Sequence, residues 1–234
     1  MERKQLRSMR FILGILALVL SLAVASPARA ILTLQVTDGG TTYTVADGSA
    51  SDLSSQTGTI VFSGAFPNVT FDLNSGISKP VIGNIFAPEL HLDSIMVSSG
   101  PVTLTVRLSD TDFSGAGLAT FLAGLGGALS APAGSSISLS VYEDLSNTLF
   151  GTGTLLCTIG PLSGLGYSGN CGANNVLIDN AYSVTLQAVI THTGVGSSSL
   201  NAIVKDVPEP SSMILLGAGL LGMVAWARRK AYSN

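Results

Sequence analysis

The chain has 234 residues, 46% of them hydrophobic and only 11% charged, with a formal net charge of −3. The charges are unevenly placed: Arg3, Lys4, Arg7, Arg10 and Arg29 stand near the start, Arg228, Arg229 and Lys230 near the end, and residues 31–207 hold Lys79, Arg107 and Lys205 against twelve of the fourteen acids. So acidic a stretch is repelled by a phosphate backbone, which excludes nucleic acid as a partner and leaves the basic clusters as membrane-topology signals.

Residues 11–25 form an apolar run, directly after four cations, interrupted only by Gly14 and Ser21. About fifteen residues make about 22 Å of helix, short of the ~30 Å hydrocarbon core of a bilayer. Ser26 and Pro27 close the run, and Ala28 and Ala30 put small residues at both positions that signal peptidase reads. These three regions predict a signal peptide over residues 1–30, taken up by the Sec translocon and cut after Ala30. Export implies an oxidising compartment, so Cys157 and Cys171 are predicted to form a disulfide. The bond would close the Gly- and Ser-rich segment 158–170, which would otherwise be floppy.

Short alternating segments fill the middle of the chain. Strands are predicted over residues 32–36, 41–46, 59–63, 69–73, 90–97, 102–108, 136–142, 154–159, 182–191 and 199–204. The clearest is Val102-Thr103-Leu104-Thr105-Val106-Arg107-Leu108, whose strict alternation fits one buried and one wet face. Asp38-Gly39-Gly40, Asp47-Gly48 and Asn74-Ser75-Gly76 supply turns. In residues 118–130, Leu118, Phe121, Leu122, Leu125 and Leu129 fit a helical stripe. Gly124, Gly126 and Gly127 would each cost such a helix about 1 kcal/mol relative to Ala, so a glycine-bent strand is expected instead. The sum is a mainly β, antiparallel, jelly-roll-like sandwich over residues 31–206, flanked by an N-terminal signal helix and a C-terminal transmembrane helix.

Few residues in this domain point to chemistry. Glu89, His91 and Asp93 fall at i, i+2 and i+4, so a metal site is conceivable, but a solvated polar face opposite Leu90 and Leu92 is the expectation. Asp110 and Asp112 would offer oxygens to calcium, yet no hand-type loop surrounds them and Asp-x-Asp is common in turns. His192 follows a strand with no acid close in sequence, and a surface position is expected. No metal, no other cofactor and no catalytic residue is assigned: there is no Gly-x-Ser-x-Gly, and neither histidine lies near a serine motif. The domain is predicted not to be an enzyme. The alternative is a carbohydrate-binding or adhesive module, but Tyr43, Tyr142, Tyr167 and Tyr182 are its few tyrosines, and the one tryptophan is Trp226 in the tail.

The tail has three consecutive parts. Val207-Pro208-Glu209-Pro210 is stiff and extended, because each proline fixes its own φ and biases the residue before it away from helix. Residues 213–227 carry no formal charge and end with Trp226, a residue suited to a membrane interface. Arg228, Arg229 and Lys230 then hold the inner end in the cytoplasm, leaving Pro208–Pro210 on the outer side. This arrangement resembles the PEP-CTERM family of sorting signals, in which Pro-Glu-Pro precedes a short transmembrane helix and a basic end. The resemblance covers about the last 25 residues of the tail. It implies recognition by exosortase, a membrane sorting enzyme of Gram-negative bacteria that make exopolysaccharide, with cleavage near Pro208–Pro210. It further implies transfer to the cell surface or extracellular matrix, with exopolysaccharide as a further partner.

Overall fold

Leu, Val and Ile at every second position turn one face of each segment inward, while the intervening Ser and Thr face water. The computed structural model describes residues 32–207 together with residues 218, 219 and 221. Among these, twelve strands form: β1 (Thr33–Asp38), β2 (Thr41–Ala46), β3 (Thr59–Phe66), β4 (Val69–Ile77), β5 (Glu89–Ser98), β6 (Val102–Ser114), β7 (Gly117–Ser130), β8 (Ser136–Asp144), β9 (Thr154–Leu162), β10 (Tyr167–Ile178), β11 (Ala181–His192) and β12 (Gly196–Asp206). They pair antiparallel in two six-stranded sheets, ordered β2-β1-β6-β11-β8-β9 and β10-β7-β12-β5-β4-β3. Among the described residues no helix is long and apolar enough to cross a membrane. The predicted signal helix and most of the predicted C-terminal helix lie outside the described residues.

The sheets share one hydrophobic core, as a β-sandwich requires. Leu104, Val106 and Leu108 of β6 stand opposite Ile190, Ala188 and Leu186 of β11, all fully buried. From the other sheet come Leu90, Leu92 and Met96 of β5 and Leu200, Ala202 and Val204 of β12. Each large aliphatic side chain removed from water contributes about 1.5–3 kcal/mol, which makes this shared layer the main source of stability. From β5 onward nearly every connection changes sheet, and the last eight strands pair as β5-β12-β7-β10 and β6-β11-β8-β9.

All ten predicted strands overlap observed ones, and residues 117–130 form a continuous strand, β7, rather than a helix. Its glycines have a packing reason. Tyr167 of β10 donates its hydroxyl to the Ser199 carbonyl of β12 (2.6 Å), passing over Gly127, where a Cβ would strike both groups. The segment between the cysteines is mostly strand: β9 continues to Leu162 and β10 begins at Tyr167, leaving a tight connection between them. Cys157 and Cys171 are joined, and the bond ties β9, at the edge of one sheet, to β10, at the edge of the other.

Reduction of this disulfide, or Cys157→Ala with Cys171→Ala, is expected to lower unfolding free energy by about 3 kcal/mol, the loop-closure value for a ring of about 15 residues. Urea titration of the protein with and without reductant measures the difference.

Candidate functional site

β12 delivers the chain to its tail from the middle of a sheet. It is paired along its length with β5 on one side and β7 on the other. The last backbone donors are used: Asp206 N–H donates to the Pro88 carbonyl (2.9 Å) and Val207 N–H to the Thr120 carbonyl (2.7 Å). Pro208 has no N–H, so the ladder stops there. β1 begins at the same end, with Thr33 opposite Ser109 and the Leu32 carbonyl accepting from Asp47. Both tails of the domain therefore leave from one end, here called the terminal end; the opposite, distal end carries the turns after β5, β7, β9 and β11.

The terminal end is closed by polar side chains turned into the sandwich. Lys79 is buried, with its ammonium 3.0 Å from Asp110 Oδ2, hydrogen-bonded to the Thr111 carbonyl, and 3.5 Å from the centre of the Phe113 ring. Asp110 also accepts from the Ser78 hydroxyl (2.6 Å) and the Thr111 N–H (2.8 Å). Burial pushes the Lys79 ammonium down and the Asp110 carboxyl up; their mutual attraction opposes both shifts. The cation that Asp110 holds is thus the chain's own ammonium, while Asp112 takes its partner from Asn147 Nδ2 (2.7 Å). Nearby, burial pushes the carboxyls of Glu143 and Asp206 up, partly offset by hydrogen bonds to Thr154 and to the Thr120 and Val207 backbones respectively. The Tyr182 phenol is also pushed up by burial, reinforced by the charges of Asp206 and Glu143.

The distal end is closed differently. His192 is 1% exposed, not a surface residue as expected. Its position continues the inward series Val184, Leu186, Ala188, Ile190 of β11. Nδ1 lies 2.7 Å from the Ser98 hydroxyl and Nε2 3.1 Å from that of Ser198, so the ring bridges the two sheets. With Ser98 donating to the Gly194 carbonyl (3.0 Å), Nδ1 carries the proton and Nε2 accepts. A Ser–His contact of this length suits a nucleophile and its base, but both side chains are fully buried and serve the packing. Burial pushes the His192 imidazole below its ordinary value.

The other sequence candidates are divided between the outer faces and the interior. Asn201 Nδ2 lies 2.6 Å from both His91 Nε2 and Asp93 Oδ1, making the half-exposed polar face expected of β5. Tyr167 and Tyr182 are buried, and Tyr43 packs its ring on Phe62 and Phe66. A distal depression of about 330 Å³ is lined by Leu129, Pro132, Ser135, Leu165 and their neighbours, none of them titratable. Of the predicted tail and processing residues, Val207 is described; Ala28, Ala30, Pro208, Glu209, Pro210, Arg228, Arg229 and Lys230 lie outside the described residues.

A family model described as the PEP-CTERM protein-sorting motif matches residues 206–230. The chain carries a PEP-CTERM motif. That motif implies export, transient membrane anchoring through the C-terminal region, and exosortase as the sorting partner. Its first residue, Asp206, is also the last of β12, so the PEP-CTERM segment begins inside the sheet with no intervening linker. None of the curated proteins matches the chain. Among solved structures it is similar to TmCBM61 in complex with beta-1,4-galactotriose, at 9% identity, TM-score 0.34, 62% of this chain and 92% of that one. It is also similar to Arthrobacter globiformis T6 isomalto-dextranase complexed with panose, at 11% identity and TM-score 0.27, covering 74% of this chain and 29% of that one. Scores this low carry no argument about ligands.

Two outcomes follow from the buried groups. Lys79→Met leaves Asp110 without its cation and is expected to cost about 3–5 kcal/mol, whereas pairing it with Asp110→Leu recovers most of the loss; chemical denaturation of the three proteins checks this. His192 has a folded-state pKa below that of the unfolded chain, so protonation favours unfolding. Its contribution is fully present above about pH 6.5 and declines as pH falls below that value. The stability difference between the natural protein and His192→Gln, followed from about pH 7 to about pH 5, should shrink.

Proposed function

We propose that this chain is an exported, non-catalytic surface protein, a substrate of an exosortase-type sorting system. In this reading residues 1–30 are a signal peptide removed after Ala30. Residues 31–206 are the payload, and residues 207–234 carry the sorting signal, a transmembrane helix and the basic stop. The payload's winding, with β5-β12-β7-β10 facing β6-β11-β8-β9, is that of a jelly roll. One observation carries the proposal: the matched motif at residues 206–230 abuts a folded, acidic, disulfide-bonded domain whose last ladder bond is made by Val207. A disulfide suits an oxidising compartment outside the cytoplasm.

The enzyme cuts near Pro208–Pro210 and passes the domain to the cell surface or to the extracellular, exopolysaccharide-containing matrix. Sugar binding by the domain itself gains little support from its tyrosines: Tyr167 and Tyr182 are buried, Tyr142 is half-buried, and Tyr43 is packed on other rings.

Mass spectrometry of the mature protein from strains with and without the sorting enzyme tests the proposal. The expected product begins at Ile31 and ends near Pro208–Pro210 only when the enzyme is present. A full-length C-terminus in both strains rules the proposal out.

A further inference from the structure

Most of the exposed large apolar side chains lie toward the terminal end, although Val97, Leu165 and Val195 are exposed toward the other. Phe86 is 67% exposed and Ile85 46%, in the connection between β4 and β5. That connection is pinned to the terminal end: the Ile85 carbonyl accepts from Ser114, the last residue of β6, and the Pro88 carbonyl from Asp206. Beside it, Leu118 (58% exposed) and Leu177 (61% exposed) face each other across β7 and β10. Leu53 and Leu145, in the connections after β2 and β8, expose themselves at the same end. A group of large apolar side chains at one end marks a candidate contact surface.

The tail says what they meet. Val207 is held by Thr120, two residues from Leu118. Only Pro208 to Ser212 separate Val207 from the apolar run that starts at Met213. Six Cα steps of at most ~3.6 Å bring the terminal end within about 22 Å of that run. Two prolines stiffen the spacer and keep the domain from swinging far from the line of its anchor.

We infer that the terminal end of the domain, around Ile85, Phe86, Leu118 and Leu177, rests on the lipid surface into which the C-terminal segment is inserted. The inference rests on the anchoring reading above. Contact with apolar and interfacial lipid regions, not with charged headgroups, drives it. Asp47, Asp52, Asp112, Asp144 and Asp179 lie in or beside the same connections, and would be repelled by anionic lipid. While anchored, the protein stands terminal end down. Pro208–Pro210 are then held at the membrane surface, at the depth where a membrane-embedded enzyme reaches them, and the distal turns point outward.

The test uses the full chain with Trp226→Phe, to remove the tail indole, reconstituted without enzyme into phosphatidylcholine vesicles carrying bromine on the acyl chains. Phe86→Trp places a reporter at an exposed terminal position, and Val195→Trp does so at the distal turn, where Val195 is 69% exposed. The expected result is loss of emission from the Phe86→Trp protein in brominated relative to plain vesicles, with Val195→Trp unchanged. Co-flotation with the vesicles reports anchoring separately. A chain that does not float overturns the anchoring reading and the inference with it. A chain that floats but shows equal emission from both reporters overturns the inference alone. So does a Phe86→Trp reporter that is shielded only when the sorting enzyme is added, because the surface would then belong to a protein partner.

Discussion

Parity governs this molecule. Every connection in the sandwich reverses the chain, and among the described residues there are twelve strands. An even number of strand traversals returns the backbone to the end from which it set out. Leu32 and Val207 therefore emerge at the same end as a matter of topology, whatever the side chains do. Both ends of the described domain thus lie at one end of the sandwich, and the turns after β5, β7, β9 and β11 lie at the other.

The second constraint is what to do where a strand leaves the core. Near one end of β6, β8, β11 and β12 an inward position is taken by a titratable residue, Asp110, Glu143, His192 and Asp206 respectively. Asp110, Glu143 and His192 are buried and Asp206 is half-buried, and each responds in the direction that burial dictates. The two ends are solved with different chemistry. At the distal end a neutral imidazole joins two serines across the sheets. At the terminal end an ammonium is drawn between a carboxylate, a carbonyl and an aromatic ring. A buried ion pair adds little net stability over an apolar filling, but it admits only one arrangement of the partners. It fixes the connection after β4, which in turn supplies the Pro88 carbonyl that holds Asp206.

What the sequence shows plainly and what it hides follow the same logic. Residues 102–108 are legible because a central strand has one face in the core and one in water, and the alternation records both. β10 is not legible. Its Tyr-Ser-Gly-Asn-Cys-Gly-Ala-Asn-Asn sequence is poor in strand formers, and as an edge strand it buries little on either face. Its register comes from pairing with β7 and from a covalent tie to β9. β7 was ambiguous for the opposite reason: Leu118 and Leu122 point outward while Phe121 and Leu125 point inward, so leucines on both faces mimic a helical stripe. The inward polar residues could have been found by continuing the two-residue count past the last apolar position, which places His192 with Ile190 and Asp110 with Leu108. Lys79 escapes that rule, since it lies in a connection and reaches Asp110 only through the tertiary fold.

The central place of β12 has a mechanical side. Once its C-terminus is fixed to a surface, any drag on the domain is carried through Val207 into this one strand. The strand is bonded to two neighbours, with ten facing residue pairs on each side. Hydrogen bonds between antiparallel strands run perpendicular to the strand axis, so tension directed along β12 strains both ladders in shear. The bonds must yield together instead of opening one after another from an edge. Fluid flow past a cell would thus pull on the domain in the direction in which it is hardest to tear.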